Sequence, residues 1–236
     1  MSIKAVLFDL DGTLLPMDQN EFIKAYFGLL AKWVAPLGYE AEKLYKVLWS
    51  GVASMVKNDG SCKNEEVFWK AFLDFYGSDS MKDKAVIDEF YKIEFNKVQA
   101  VCGFHESAAK VVELVRNSGK MAVLATNPLF PHTATDNRMR WAGLKPEDFS
   151  FYTTYENSRY CKPNPKYYEE ILQKLNLKPE ECIMVGNDLE EDILPTEKLG
   201  MQGFLLTDCL INKEDKDISG YLQGDFTELI QYLENI

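Results

Sequence analysis

A short, β-rich apolar run, Ile3 to Phe8, stops abruptly in the polar sequence Asp9-Leu10-Asp11-Gly12-Thr13. Runs of this length and character suit strands buried on both faces of a parallel sheet. Similar runs recur at Met121 to Ala125, Phe149 to Thr154, Cys182 to Val185 and Gly203 to Leu206. Helical patterns separate them, at roughly 104–118, 133–142, 165–175 and 190–199, with a last one near 225–235. Strands alternating with helices predict an α/β fold built on a doubly wound parallel sheet. Ligands of such sheets bind beyond the carboxyl ends of the strands. That is where the polar residues after each run would gather.

The segment from about 17 to 100 breaks the alternation and reads as four consecutive amphipathic helices. Phe22, Tyr26, Leu29, Leu30 and Trp33 follow helical spacing, as do Leu44, Leu48, Val52 and Met55. A third stripe holds Phe68, Phe72, Phe75 and Tyr76, and a fourth holds Val86, Phe90, Ile93 and Lys97. Asp18 with Glu21 resembles a capping box that opens the first helix. Trp33, Trp49 and Trp69 are expected mainly as bundle core; the alternative places one or two aromatics over a ligand. The implied organisation is a core from 1–16 and 101–236 with an inserted all-helical unit at 17–100.

Of the 236 residues, 46% are hydrophobic and 13% aromatic, enough for a sizeable core and too many for a disordered chain. The formal net charge of -11 excludes nucleic acid and anionic membrane as natural partners, because both need a basic footprint. An anionic small molecule would need a metal ion or a few placed cations to reverse the field locally. Five scattered cysteines without a C-x-x-C pair speak against a disulfide framework or structural zinc and for a reducing compartment. The N-terminal apolar run is too short for a signal peptide, and no later run reaches the ~18 residues of a membrane span. The cytoplasm is the expected location.

Asp9 and Asp11, two apart on an extended backbone, would share a face with Cα atoms ~6.6 Å apart. Carboxylates that close can divide labour, one ionised as nucleophile or metal ligand and the other held protonated. An Asp-Gly turn accounts for the same residues, yet packing explains poorly an acidic pair at the carboxyl edge of a sheet, directly after an apolar strand. Thr126 and Asn127 follow the second core strand and could clamp phosphate oxygens; an ordinary strand-to-turn transition before Pro128 reads equally well. Lys162 precedes Asn164 and Pro165, a good N-cap and first helical residue, where a lysine can meet an anion beside a helix N-terminus. Gly186 permits a sharp turn after the fourth strand, and Asp188 and Asp192 follow it. Their hard oxygens suit Mg²⁺ near a phosphate, or simply an acidic first helical turn. His105 and His132 are expected to be surface or structural, and Cys161 buried and inert.

In this order, each after its own strand, the residues resemble the motifs of the haloacid dehalogenase (HAD) superfamily across the whole chain. Val6-Leu-Phe-Asp-Leu-Asp-Gly-Thr-Leu-Leu15 looks like the first motif, Thr126-Asn127 the second, Lys162-Pro163 the third and Gly186 to Asp192 the fourth. The helical insert is similar to the cap of the subfamily that includes phosphoglycolate phosphatases. The resemblance implies a Rossmann-like core, Mg²⁺ and an aspartyl-phosphate intermediate formed from a small phosphorylated metabolite. It implies Asp9 as nucleophile, Asp11 as general acid and base, and Thr126, Asn127 and Lys162 around the phosphoryl group. The metal would take the Asp9 carboxylate, the Asp11 backbone carbonyl and Asp188, with Asp192 behind them. One departure stands out: many members carry the acid directly after the glycine, where this chain has Asn187. A phosphomutase of the same fold and a catalytically silent binding module are the competing expectations. A dehalogenase would have no leaving group for Asp11 to protonate.

Overall fold

Four consecutive apolar residues, Ala5–Phe8, form strand β1, and none of them is exposed to solvent. The computed structural model describes residues 2–236. The other strands are β2 (Met121–Leu124), β3 (Phe151–Tyr152), β4 (Cys182–Gly186), β5 (Gln202–Leu206) and β6 (Gln223–Gly224). All neighbours pair in parallel, in the order β3-β2-β1-β4-β5-β6. The connection out of β1 leads to one side of the sheet and the later strands build the other, so the order reverses at β1. Such a switch point opens a crevice at the carboxyl edge.

The β1 side chains alternate as a doubly covered strand requires. Val6 and Phe8 join the apolar cluster on one face, and Ala5 and Leu7 join the cluster that includes Tyr167, Tyr168, Ile171 and Leu172 on the other. Those four belong to helix α7 (Pro165–Leu175). The remaining core helices are α5 (Glu106–Asn117), α6 (His132–Trp141), α8 (Leu194–Lys198) and α9 (Phe226–Glu234). Phe8 sits opposite Leu124 and Val185, so Asp9, Ala125 and Gly186 leave three adjacent strands at one level. Register alone thus brings distant polar segments together.

Residues 19–101 contain helices α1 (Gln19–Val34), α2 (Ala41–Val56), α3 (Asn64–Tyr76) and α4 (Lys84–Lys92), with 3₁₀ turns between α1 and α2, between α3 and α4, and after α4. The chain enters and leaves this unit side by side, with Met17 bridged to Cys102 and the Gly103 N–H bonded to the Pro16 carbonyl at 2.7 Å. Asp18 caps α1 by accepting from the Asn20 and Glu21 N–H groups, whereas the return bond of a full box from Glu21 is not formed. Phe22, Tyr26 and Phe95 pack with Phe130 and Trp141, so one apolar cluster runs from the sheet into the helical unit.

Several expectations need correction. The run at 149–154 forms only two residues of regular strand, at the end of the sheet, and β6 is too short to leave any periodic signal. The helix expected at 190–199 starts as a π-turn over Leu189–Ile193 and continues as α8. Phe75 and Ile93 are exposed, because the buried arcs centre on Trp69, Phe72 and Tyr76 in α3 and on Ile87, Phe90 and Tyr91 in α4. Trp69 is core, as expected, but Trp49 is exposed at the mouth of a pocket. His105 caps α5 and stacks on Phe226, and His132 bonds Glu156, both structural roles. Among the described residues no helix is long and apolar enough to cross a membrane.

Candidate active site

Asp9 leaves β1 with its N–H on the Val185 carbonyl at 2.9 Å and its carboxylate in a pocket of about 330 Å³. One carboxylate oxygen accepts from Lys162 Nζ at 2.7 Å and the other from the Thr13 hydroxyl at 3.0 Å. Lys162 also donates to Asp192 Oδ1 at 2.7 Å, and the second Asp192 oxygen accepts from the Asp188 N–H at 3.1 Å. All three charged side chains are nearly sealed from water. Burial pulls the Lys162 ammonium down, but Asp192 and Asp9 outweigh it and hold it well above the usual lysine range. Burial raises the Asp192 carboxyl, with Lys162 opposing. The first and fourth strand ends are tied together through one cation.

Two glycines make this closeness possible. A side chain at Gly186 would meet the Asp192 carboxylate at 2.2 Å. Gly12 has a φ of +89°, and a Cβ there would meet the Asn187 amide at 2.4 Å. The turn reading of Asp11-Gly12 holds, and that turn places both carboxylates on the pocket wall.

Asp11 lies nearby in the same pocket, and its partner is a residue that no sequence pattern announced. Arg138, on α6 and fully buried, forms an ion pair with Asp11 Oδ2 through Nη1. Its guanidinium stacks 4.5 Å over the Phe130 ring and donates to the Thr135 hydroxyl and the Ala134 carbonyl. Burial raises the Asp11 carboxyl above its ordinary value, Arg138 opposes this, and Asp9 adds to it. The other Asp11 oxygen is buried without a hydrogen-bond partner. The helix carrying Arg138 reads His-Thr-Ala-Thr-Asp-Asn-Arg-Met-Arg-Trp, which looks like a solvated surface. Thr135, Asn137 and Arg138 are nonetheless buried in it.

Thr126 and Asn127 both wall the pocket. The Thr126 carbonyl accepts from the Tyr167 hydroxyl at 2.8 Å and the Thr153 hydroxyl at 2.6 Å, which pins this strand end to α7. The Asn127 amide donates to Glu191 at 3.1 Å, while its carbonyl oxygen is buried without a partner. Asn164 and Pro165 open α7 as expected, but Lys162 is not among the residues that wall the pocket. It lies behind Asp9 and Asp192, bonded to both.

The fourth strand end separates Asn187 from Asp188. The Asn187 amide nitrogen donates to the Cys209 carbonyl at 2.7 Å, and its oxygen lies 3.0 Å from the Thr13 hydroxyl, whose one proton it shares with Asp9. Asp188 Oδ1 caps the following turn through the Glu190 and Glu191 N–H groups, and Oδ2 stays open, 3.8 Å from Lys213. Burial raises both the Asp188 and Glu191 carboxyls. Among the described residues no three His, Cys, Asp or Glu side chains converge as a ready metal cluster. Two carboxylates completed by a backbone carbonyl and waters would suffice for Mg²⁺. Hard oxygens, a surplus of acid over Lys162 and Lys213, and the burial that raises the Asp188 carboxyl all fit a divalent cation at Asp9 and Asp188.

The family model for haloacid dehalogenase-like hydrolases matches residues 3–200. A glyceraldehyde 3-phosphate phosphatase of Methanothermobacter thermautotrophicus is 36% identical over 214 residues, 90% of this chain and 89% of that one. Among solved structures, a 2-haloacid dehalogenase from Pseudomonas syringae superposes with a TM-score of 0.65 at 19% identity, over 99% of each chain. The HAD-hydrolase YfnB from Bacillus subtilis, solved bound to magnesium, superposes with a TM-score of 0.58 at 17% identity, over 100% of each chain.

Proposed function

We propose that this chain, which belongs to the haloacid dehalogenase-like hydrolase family, is a phosphatase that hydrolyses a small phosphate monoester through an aspartyl-phosphate intermediate, with Mg²⁺ as cofactor. The observation that carries this reading is the placement of Asp9 and Asp11 beyond the central strand, each with its own buried cation, Lys162 and Arg138. The phosphatase name of the 36% identical relative supports it. Residues 17–100 act as the cap over this core, and the substrate is a phosphorylated metabolite. Five free cysteines fit a reducing cytoplasm.

Asp9 attacks phosphorus, the bond to the ester oxygen breaks, and Asp11 gives its proton to the departing alkoxide. Burial, which raises the Asp11 carboxyl, keeps that proton available. Water then attacks the phosphorus of the phospho-aspartate while Asp11, now a carboxylate, takes its proton. Asp9 is regenerated and inorganic phosphate leaves. Thr126 and Asn127 are placed to hold phosphoryl oxygens, and Lys162 fixes the Asp9 carboxylate. A bound Mg²⁺, held by Asp9 and Asp188, would offset the charge of the transferring group. Phosphoryl transfer needs chiefly positioning and charge stabilisation.

Turnover of generic phosphate esters, measured with and without Mg²⁺, tests the reading. Asp9→Asn is expected to lower kcat by on the order of 10⁴-fold or more, and acid-quenched wild-type enzyme should carry one phosphoryl group on Asp9. Wild-type activity in Asp9→Asn would overturn the nucleophile assignment. Absence of turnover with every divalent metal would leave a silent binding module.

A further inference from the structure

The catalytic pocket has two unlike walls. The core side presents Asp9, Asp11, Asp188, Glu191 and Asp192, whereas from the cap come Phe22, Ile23, Trp49, Val52 and Val56 and a single polar residue, Gln19. Trp49 and Val56 stand 39% and 40% exposed there, although Leu44, Val47, Leu48 and Met55 of the same helix are buried. Large apolar side chains left open at a pocket mouth mark a surface that something apolar covers.

A second cavity, of about 110 Å³, lies between α1, α2, α3 and α4 and the core residues Leu129, Phe130, Pro131 and Tyr155. It shares Ile23, Trp49, Val52, Leu129 and Phe130 with the catalytic pocket, so the two have one common wall. No charged side chain lines it. Of its four tyrosines, Tyr26 and Tyr91 pair their hydroxyls at 2.6 Å and Tyr39 donates to Asp83 at 2.8 Å, while the Trp69 indole N–H is buried without a partner. An apolar void of this kind forfeits packing contacts that a ligand would restore.

Resting on the phosphatase reading above, we infer that the substrate's leaving group is an apolar alcohol, of phenyl or branched-alkyl size, that lies on Trp49 and enters this cavity. A cavity of roughly 150 Å³ lined by aliphatic and aromatic side chains takes benzene, so this one suits a compact ring or a branched chain of about four or five carbons. The several hydroxyls of a polyol or sugar phosphate would be stripped of water against this wall and find few cap partners, chiefly Gln19 and the Trp69 indole N–H. Buried unpaired hydroxyls disfavour such esters, while an apolar group gains by leaving water.

The test compares kcat/KM of the full-length protein with Mg²⁺ on methyl phosphate, 3-methylbutyl phosphate, 3-phenylpropyl phosphate and glycerol 3-phosphate. All are esters of primary alcohols, so differences in leaving-group chemistry are small. The two apolar esters are expected to exceed methyl and glycerol phosphate at least tenfold. Leu48→Phe, which fills the cavity, should lower the ratio of 3-phenylpropyl to methyl phosphate. If that variant does not fold, the wild-type ranking decides alone. Hydrolysis of glycerol or methyl phosphate as fast as the apolar esters overturns this inference and leaves the phosphatase reading intact. Hydrolysis of none of the four overturns this inference as well, and turnover of generic phosphate esters then decides the phosphatase reading separately.

Discussion

The floor and the roof of the pocket are built on opposite principles. On the floor, contributed by the core, charges are buried and paired: Lys162 bridges Asp9 and Asp192, and Arg138 holds Asp11. On the roof, contributed by the cap, aromatic and aliphatic surfaces dominate, and α1 and α2 supply Gln19 as the one polar group. A buried charge is strongly destabilising when its partner is removed. An apolar wall loses only area when it is trimmed. The floor should therefore tolerate almost no change, and the roof should be able to vary with the substrate.

The most severe break of that contrast is Lys162→Met. It strands two buried carboxylates and should lower stability by about 3–5 kcal/mol while abolishing phosphatase activity. Urea unfolding measures the first and steady-state rates the second. Adding Asp192→Asn should recover part of the stability and none of the activity. Full activity in the single variant would show that the bridge is dispensable.

Arg138→Met sharpens the assignment of Asp11. Arg138 lowers an Asp11 carboxyl that burial raises, so its removal moves that carboxyl further up. The proton then persists to higher pH, and the alkaline limb of the pH–rate profile should shift upward. General acid catalysis contributes about 10²–10⁴-fold, so loss of the positioning contact should lower kcat by roughly 10–10²-fold. A merely structural arginine would reduce stability without moving the limb.

Mg²⁺ tests the floor from another side. Burial raises Asp188 and Glu191 above the ordinary values of 3.8 and 4.5, so stability present below those values is lost as pH rises towards the raised ones. A cation that takes the place of the protons should raise the thermal midpoint more at pH 8 than at pH 5. At ~100 times its Kd the gain is about 2.7 kcal/mol. Equal shifts at both pH values, or none, would place the metal elsewhere. The smallest effect belongs to the roof: Tyr26→Phe removes one hydroxyl of the pair and should cost about 1 kcal/mol, read by urea unfolding, with little change in kcat on methyl phosphate.

Much of the floor could be read in the chain. Asp9, Asp11, Thr126, Asn127, Asp188 and Asp192 all follow apolar runs, and parallel register brings the ends of those runs to one edge. Lys162 was legible as a residue and not as a role, because its two carboxylate partners lie 153 and 30 positions away. Arg138 was not legible at all. Its helix is polar in composition, and only the packing of Phe130 and the position of Asp11 turn that polarity inward. The stripes of the cap helices were mostly right, but periodicity could not tell which edge of a stripe faces a neighbour and which faces a pocket. Phe75 faces solvent and Trp49 faces the pocket.

The α/β class, the helical insert and the acidic pair at the end of β1 followed from the amino-acid sequence alone, because alternation, helical period and chain punctuation are local properties. Which carboxylates share a cation, whether Asn187 or Asp188 keeps a free oxygen, and how far the cap's apolar wall extends were decided by the tertiary structure. Each of these depends on contacts between segments far apart in the chain, where burial sets the strength of every charge.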